Sequence, residues 1–176
     1  QLKEDFASNL ALHAQFSATN VRGKSSKYKP EHTIDENKNT YWTTDDGITK
    51  ASITIDFEKP TTFNRFLIQE YIQLGQRVKQ FSLEAEIDGA WKTIENQTTI
   101  GYKRILRFKN VKATKVRLNI EASNECPIIS NIGIYHAPLI IDEPQISRNK
   151  QGEVTLEVPG KGVAIFYTLD GSEPTN

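Results

Sequence analysis

Hydrophobic and polar residues alternate along most of this chain, which is the pattern of β-strands that bury one face. The alternation is clearest at 51–57, 81–87 and 116–120. Further strands are predicted at 63–70, 91–94, 105–108 and 129–135, with turn residues between them at 58–60 and 109–110. One helical turn is predicted at 30–34, because Pro30 suits a first helical position. Seven or eight short strands separated by turns predict an all-β fold, an antiparallel jelly-roll β-sandwich of about eight strands.

The alternation breaks in "HAPLIIDEP" at 136–144, which contains two prolines, and a fresh series of strands follows it. We therefore predict a first domain at 1–137 and, at 138–176, a linker and the start of a second small β-domain that is too short to support its own core. The strand predicted at 163–168 precedes the hairpin turn Asp170-Gly171, but no returning strand follows. Because the chain also contains no methionine, we expect it to be a piece cut from a longer polypeptide.

The charge balance is even, with 22 basic and 22 acidic residues. A net charge of zero predicts neither a nucleic acid nor an anionic membrane as partner, and no apolar run is long enough to span a bilayer. The segment 101–117 contains seven basic residues and no acidic one. We interpret this basic run as the solvated faces of two adjacent strands, with binding of an acidic or sulfated glycan as the alternative. The single cysteine, Cys126, is predicted to be a small buried hydrophobic residue.

Two segments identify a family. "HTIDENKNTYW" at 32–42 and "IISNIGIY" at 128–135 resemble the two ends of a coagulation factor five/eight type C domain, also called a discoidin-like domain or family 32 carbohydrate-binding module, whose fold is galactose-binding-domain-like. The resemblance covers 11–136. "QEYIQLGQRVKQFSLEA" and "TTIGYKRILRF" are similar to the version found behind the catalytic barrel of α-L-fucosidases of glycoside hydrolase family 29. The tail, "IFYTLDGSEPT", is similar to the opening of a chitobiase C-terminal-like domain. The resemblance implies a secreted bacterial glycosidase that is extracellular, periplasmic or on the cell surface.

The resemblance also implies a structural Ca²⁺ or Na⁺ held by oxygen ligands, as hard cations require. In this chain the ligands would be the carbonyl of His32, the side chains of Asp35 and Asn37, and Thr40 through its hydroxyl and carbonyl. The carbonyl of Ser130 and the side chain of Asn131 would complete the set. Only Asp35 supplies formal charge, so we expect a weak site. The alternative is an Asx-rich turn that its own side chains close.

The sugar site of galactose-binding relatives is altered in this chain. The positions where the family has its histidine, arginine and asparagine correspond to Thr43, Glu70 and Gly75. Losing those donors argues against the usual galactose contacts. The candidate ligand surface therefore comprises Thr43, Glu70, Tyr71, Gln73, Gln76, Arg77, Tyr102, Lys103 and Arg104. This surface could bind a glycan or dock on a catalytic barrel, because interfaces are also rich in tyrosine and arginine.

Catalysis is not expected within these residues. The three histidines lack metal-ligand spacing, no Gly-x-Ser-x-Gly motif is present, and no carboxylate pair suited to glycoside hydrolysis is indicated. Trp42 and Trp91 have apolar neighbours and are predicted to pack in the core rather than to serve as sugar platforms.

Three hypotheses of function remain open. The first is a carbohydrate-binding module that brings a fucosylated or galactosylated glycan to the catalytic domain upstream. The second is a structural domain that docks on that catalytic domain. Adhesion to protein or lipid head groups, as in animal discoidin domains, is the third, and the polar loops disfavour it.

Overall fold

The computed structural model describes residues 8–137, 144–158, 164–172 and 174. Contacts within the chain divide it into two compact units, 1–137 and 138–176. The described part of the first unit contains seven strands, namely β1 (Gln15–Ala18), β2 (Trp42–Thr43), β3 (Ala51–Glu70), β4 (Val78–Ile87), β5 (Ala90–Gln97), β6 (Arg104–Ser123) and β7 (Ile128–Tyr135). It also contains short 3₁₀ helices at Leu10–His13, Arg22–Lys24, Ser26–Tyr28, Pro30–Thr33 and Ile72–Leu74. The helical turn predicted at 30–34 is confirmed.

Two long strands, β3 and β6, build both layers of the sandwich. The first half of β3 lies between β1 and the second half of β6, whose other neighbour is β4, and β4 pairs with β5. The second half of β3 lies between β7 and the first half of β6, and β7 pairs with β2. All these pairings are antiparallel. The prediction of an antiparallel β-sandwich is confirmed.

The prediction that a turn divides each of these long strands into two shorter strands is wrong. The turn residues at 58–60 form a bulge inside β3, where the pairing with β6 shifts between Asp56 and Thr61. Glu58 takes a left-handed φ of 62°, and its amide donates to the Asp56 side chain at 2.9 Å. The bulge bends the strand without ending it, because β6 continues alongside. The segments 105–108 and 116–120 likewise belong to one strand, β6.

The core follows the alternation that the sequence shows. Ile53, Ile55, Leu83, Val116 and Leu118 are buried between the layers, and their polar neighbours along each strand face outward. Trp42 is fully buried, which confirms its prediction.

Trp91, in contrast, is only half-buried on β5, and the Arg117 guanidinium carbon lies 4.2 Å from its ring centroid. Its prediction as a core residue is wrong, because β5 is an edge strand and Trp91 lies on its outer face, over Arg117.

The described part of the second unit contains one antiparallel hairpin, formed by β8 (Gln145–Arg148) and β9 (Val154–Glu157). The strand predicted at 163–168 does not form over the described residues 164–168, where no pairing partner lies alongside. Residue 163 lies outside the described residues. At the position of the predicted hairpin turn the chain bends, and Asp170 accepts a hydrogen bond from the Ser172 amide at 3.1 Å, but the described residues form no hairpin there. No helix in the described ranges is long and apolar enough to cross a membrane.

Candidate functional site

A cavity of about 230 Å³ opens among the loops of the first unit. Its wall contains two guanidinium groups, two carboxylates, an aromatic ring, a hydroxyl and a thiol, together with Leu74 and Ile128. We call this cavity the loop pocket. The polar groups belong to Arg22, Tyr41, Thr43, Asp46, Arg77, Glu125 and Cys126.

Arg22 reaches the loop pocket from a turn that backbone and side-chain hydrogen bonds fix. Asp45 accepts from the Gly23 amide at 2.7 Å and from the Asn20 side chain at 3.0 Å. Gly23 takes a left-handed φ of 57°, a conformation that glycine adopts readily. Arg22 Nε then donates to the Thr44 carbonyl at 3.0 Å, and Nη2 pairs with Asp46 Oδ1 at 2.5 Å. The guanidinium is thus held in one orientation.

The backbone of Arg77 is held by a buried carboxylate. Glu70 is 2% exposed, and its Oε1 accepts from the amides of Arg77 and Val78 at 2.7 and 2.8 Å. Its Oε2 accepts from the Gly101 amide at 2.8 Å. Both oxygens are taken up by backbone amides, so Glu70, which was predicted on the ligand surface, organises the loop beneath that surface instead. Arg77 itself donates from Nη1 to the Cys126 carbonyl at 3.0 Å.

Three tyrosines form a ladder beside the loop pocket. The ring centroids of Tyr28 and Tyr41 are 5.6 Å apart, and those of Tyr41 and Tyr71 are 4.7 Å apart. Burial and the neighbouring Tyr28 raise the pKa of the Tyr41 phenol above its ordinary value. The Tyr71 hydroxyl donates to Gln73 at 3.0 Å. Tyr71 and Gln73 therefore border the loop pocket, although only Tyr41 lines it.

The remaining residues of the predicted ligand surface are spread out. Thr43 lines the loop pocket but is 2% exposed, and its buried hydroxyl has no hydrogen-bond partner among the described residues. Gln76, Tyr102 and Lys103 are exposed and lie outside the pocket wall. Arg104 donates to the Thr99 carbonyl at 2.6 Å and also to Gln97, which draws it away from the surface.

The sequence interpretation missed five polar groups of the loop pocket: Arg22, Tyr41, Asp46, Glu125 and Cys126. One signal was available for Tyr41, which directly precedes the buried Trp42, so its side chain must face the other way. Arg22 and Cys126 meet across 104 positions of sequence, and no local pattern indicates that contact.

The loop predicted to bind a metal is closed by its own hydrogen bonds. Asp35 accepts from the Asn37 amide at 2.9 Å and from the Thr40 hydroxyl at 2.7 Å, and a ring nitrogen of His32 lies 2.9 Å from its carboxylate. Burial would raise the pKa of Asp35, but these hydrogen bonds and the nearby imidazole together hold it below its ordinary value.

The predicted ligands from the other end of the family motif have different partners. Asn131 donates to the Gln69 side chain at 2.8 Å, and the Ser130 hydroxyl donates to the Gln69 carbonyl at 3.4 Å. The oxygen donors of Asp35, Asn37 and Thr40 fit a hard cation in their chemistry. No group of three or more histidine, cysteine or acidic side chains suited to a metal occurs in the ranges that the structure describes.

A second polar surface covers the outer face of β4, β5 and β6. Glu84 Oε2 accepts from Arg117 Nε at 2.8 Å and from Asn119 at 2.7 Å, while the Arg117 guanidinium lies over Trp91. Burial would raise the pKa of Glu84, but the hydrogen bonds from Arg117 and Asn119 hold it below its ordinary value. Lys115 pairs with Asp56 at 3.3 Å. Acidic neighbours thus complement the end of the basic run, as the sequence interpretation proposed.

Comparisons with known proteins agree with this architecture. The model of the F5/8 type C domain family matches residues 15–132. An alpha-L-fucosidase 1 from Arabidopsis thaliana is 32% identical over 134 residues, which are 74% of this chain and 26% of that protein. A glycoside hydrolase 29 fucosidase from Ruminococcus gnavus, solved in complex with fucose, is 36% identical with a TM-score of 0.73 and aligns with 78% of this chain and 28% of its own.

A third relative supports the fold alone. A chitosan-binding module from a Paenibacillus chitosanase/glucanase has a TM-score of 0.64 at 18% identity, over 72% of this chain and 97% of its own. The chain spans about a quarter of the length of the curated fucosidases that it matches. Its sandwich, its loops and the family match over 15–132 lead to one conclusion: this chain belongs to the F5/8 type C domain family.

Proposed function

We propose that this chain is a non-catalytic carbohydrate-binding module of a secreted α-L-fucosidase, and that it holds a glycan in the loop pocket. The observation that carries the proposal is the pocket wall. Arg22 and Arg77 offer fixed donors, Asp46 and Glu125 offer acceptors, and Tyr41 offers an aromatic surface. Sugar hydroxyls need donors and acceptors together, and the apolar faces of sugar rings pack on aromatic side chains.

The size of the loop pocket suits a single sugar unit. Its volume of about 230 Å³ lies below the roughly 300 Å³ at which pockets for drug-sized ligands begin. A few hydrogen bonds and one aromatic contact in such a site support a dissociation constant of about 1 mM. Weak binding is useful in a module that is tethered to an enzyme, because the tether raises the local concentration of the glycan.

The relatives suggest which enzyme the module serves. The Arabidopsis and Ruminococcus relatives are named as fucosidases, and this chain corresponds to about a quarter of each. We therefore propose that the catalytic residues lie in the part of the polypeptide upstream of this chain, and that a fucosylated or galactosylated glycan is the ligand.

The test is titration of the whole chain with a panel of fucosylated and galactosylated oligosaccharides. We expect millimolar binding that Arg22→Ala and Arg77→Ala each weaken at least about fivefold, because each removes a charged donor. Arg107→Ala is the matched control, since Arg107 is an exposed arginine on β6 outside the pocket. Absence of binding across the panel, or equal loss in the control, contradicts the proposal.

A second function is favoured by a different observation. Ile72, Leu74 and Tyr102 are 40%, 47% and 68% exposed on loops of the first unit. Exposed apolar side chains on adjacent loops are typical of an interface, so docking on the catalytic domain is the alternative. If docking is correct, the chain associates with a separately produced catalytic domain, and Leu74→Ser weakens that association without changing the fold.

The metal prediction stays a proposal as well. A Ca²⁺ or Na⁺ ion would take oxygen ligands from Asp35, Asn37 and Thr40 and would tie their loop together, a structural role. We expect added Ca²⁺ to raise the melting temperature and a chelator to lower it, with Asp35→Asn insensitive to both. Equal melting curves for the wild type under both conditions contradict a Ca²⁺ site, and equal curves with and without Na⁺ contradict a Na⁺ site.

A further inference from the structure

Two guanidinium groups converge on one sulfur atom in the loop pocket. Arg22 Nη2 and Arg77 Nη1 each lie 2.9 Å from Cys126 Sγ. A thiol sulfur is a weak hydrogen-bond acceptor, whereas a guanidinium donates its strongest hydrogen bonds to oxyanions. Both arginines therefore direct charged N–H groups at the Cys126 sulfur, which is a weak acceptor.

The carboxylates near these arginines lie towards solvent. Asp46 pairs with Arg22, but the Asp46 side chain is 90% exposed, whereas that of Arg22 is 34% exposed. Arg77 donates to the carbonyls of Leu74 and Cys126, and it forms no ion pair with an acidic residue in the described part of the chain. Glu125 is exposed. The cations thus lie deeper than the acids, and no carboxylate among the described residues forms an ion pair with Arg77.

We propose that the inner end of the loop pocket binds the oxyanion of an acidic sugar, either a uronic acid carboxylate or a sulfate ester. One oxyanion can accept from both guanidiniums, and planar guanidinium groups suit the paired oxygens of carboxylate and sulfate. This inference rests on the proposed function and narrows its ligand class, because a neutral sugar leaves the charge of Arg77 without a counter-ion.

The basic run at 101–117 is the competing explanation for any binding of acidic sugars. Arg107, Lys109 and Lys112 are exposed on β6 and form no ion pairs among the described residues. Exposed cations on flexible side chains attract anions without fixing them, and salt screens that attraction readily. The arginines of the loop pocket are held by carbonyl and carboxylate partners and are already oriented.

The experiment compares matched neutral and acidic sugars by calorimetric titration of the whole chain. The pairs are galactose with galacturonate and fucose with a fucose sulfate, so the two arms separate a carboxylate from a sulfate as the recognised group. We expect the acidic member of at least one pair to bind about tenfold more tightly, the effect of one charged hydrogen bond. Raising the salt concentration from about 0.05 M to about 0.5 M should lower the affinity for the acidic sugar severalfold and leave the affinity for the neutral sugar unchanged.

Variants locate the binding. Arg77→Gln and Arg22→Gln should each lower the affinity for the acidic sugar to that for the matching neutral sugar. Arg77→Lys should keep part of the preference for the acidic sugar. Arg107→Gln and Lys109→Gln should change neither affinity. Melting curves verify that each variant is folded, and if Arg77→Gln does not fold, Arg22→Gln compared with Arg107→Gln and Lys109→Gln still decides the question.

The outcomes are distinguishable. Equal affinity for neutral and acidic sugars overturns this inference and leaves the proposed function standing. A preference that Arg107→Gln or Lys109→Gln removes also overturns it, because the anion would then lie on the basic run. Failure of every sugar to bind overturns both.

Discussion

Two arginines of the first unit, Arg117 on the outer face of the sheet and Arg77 in the loop pocket, have opposite surroundings. On the outer face of the sheet, Arg117 meets a carboxylate, Glu84, and an aromatic ring, Trp91. In the loop pocket, Arg77 meets two carbonyls and a thiol. Both side chains are partly buried and both are held by hydrogen bonds. They differ in whether an anion already balances the charge.

This difference separates a structural network from a recognition site. On the sheet face, the Glu84 carboxylate already accepts hydrogen bonds from Arg117 and Asn119, so the charge of Arg117 is already balanced. A ligand there would have to replace good interactions. In the loop pocket, the proposed ligand would replace the contacts of Arg77 with a weak acceptor and gain stronger ones. We therefore propose binding at the pocket and expect the sheet face to contribute stability.

The largest expected effect tests the buried carboxylate that supports the loop pocket. Glu70 lies beneath the pocket, and its carboxylate serves three backbone amides. Glu70→Ala leaves those amides without an acceptor and should lower the free energy of unfolding by about 3 kcal/mol. Chemical denaturation measures this loss. Gln76→Ala, in the same loop but exposed, is the matched control and should stay within about 0.5 kcal/mol of the wild type. A Glu70→Ala protein of nearly wild-type stability would show that water replaces the carboxylate.

An intermediate effect tests the sheet face directly. Arg117→Ala should cost about 1 kcal/mol in unfolding free energy, because it removes an ion pair and a cation–π contact that are both partly exposed. Combined with Glu84→Ala, the double variant should lose less than the sum of the single losses. Glycan affinity should not change in any of the three variants. Weaker glycan binding by Arg117→Ala would break the comparison and move recognition to the sheet.

Most of the fold could be predicted from the sequence because each buried strand carries its own alternating pattern. Apolar residues two positions apart, such as Ile53 with Ile55 and Val116 with Leu118, predict which face of their strand is buried. Two of the errors have physical causes that single residues show. A bulge at Glu58 has the composition of a turn, and only the neighbouring strand keeps β3 continuous. Tryptophan is usually found in the core, but Trp91 lies on β5, which is at a sheet edge.

The candidate site could be predicted less well, because it depends on contacts between distant loops. The family motif leads to Thr43 and Glu70, and the loop face around them leads to Arg77, but the sequence predicts Glu70 on the surface although its oxygens accept from backbone amides. Nothing local distinguishes a carboxylate that holds a loop from one that holds a sugar. Arg22 and Cys126 were missed as pocket residues for the same reason, since their contact exists only in the folded chain.

The smallest expected effect concerns Asp35. Its carboxylate has hydrogen-bond partners within its own loop, as Glu84 has on the sheet face, but it is partly exposed to solvent. The lowered pKa of Asp35 means that its ionised form stabilises the fold. This contribution is complete above the unfolded pKa of about 3.9 and disappears as the pH falls through the lower folded value. With the carboxylate screened by solvent, we expect it to be under about 1 kcal/mol. In a chelator, the difference in unfolding free energy between the wild type and Asp35→Asn should be constant above about pH 5 and shrink below about pH 4. A difference that stays constant down to about pH 2 would mean that Asp35 titrates alike in the folded and unfolded chains, and that its hydrogen bonds with His32 and Thr40 do not favour the ionised form.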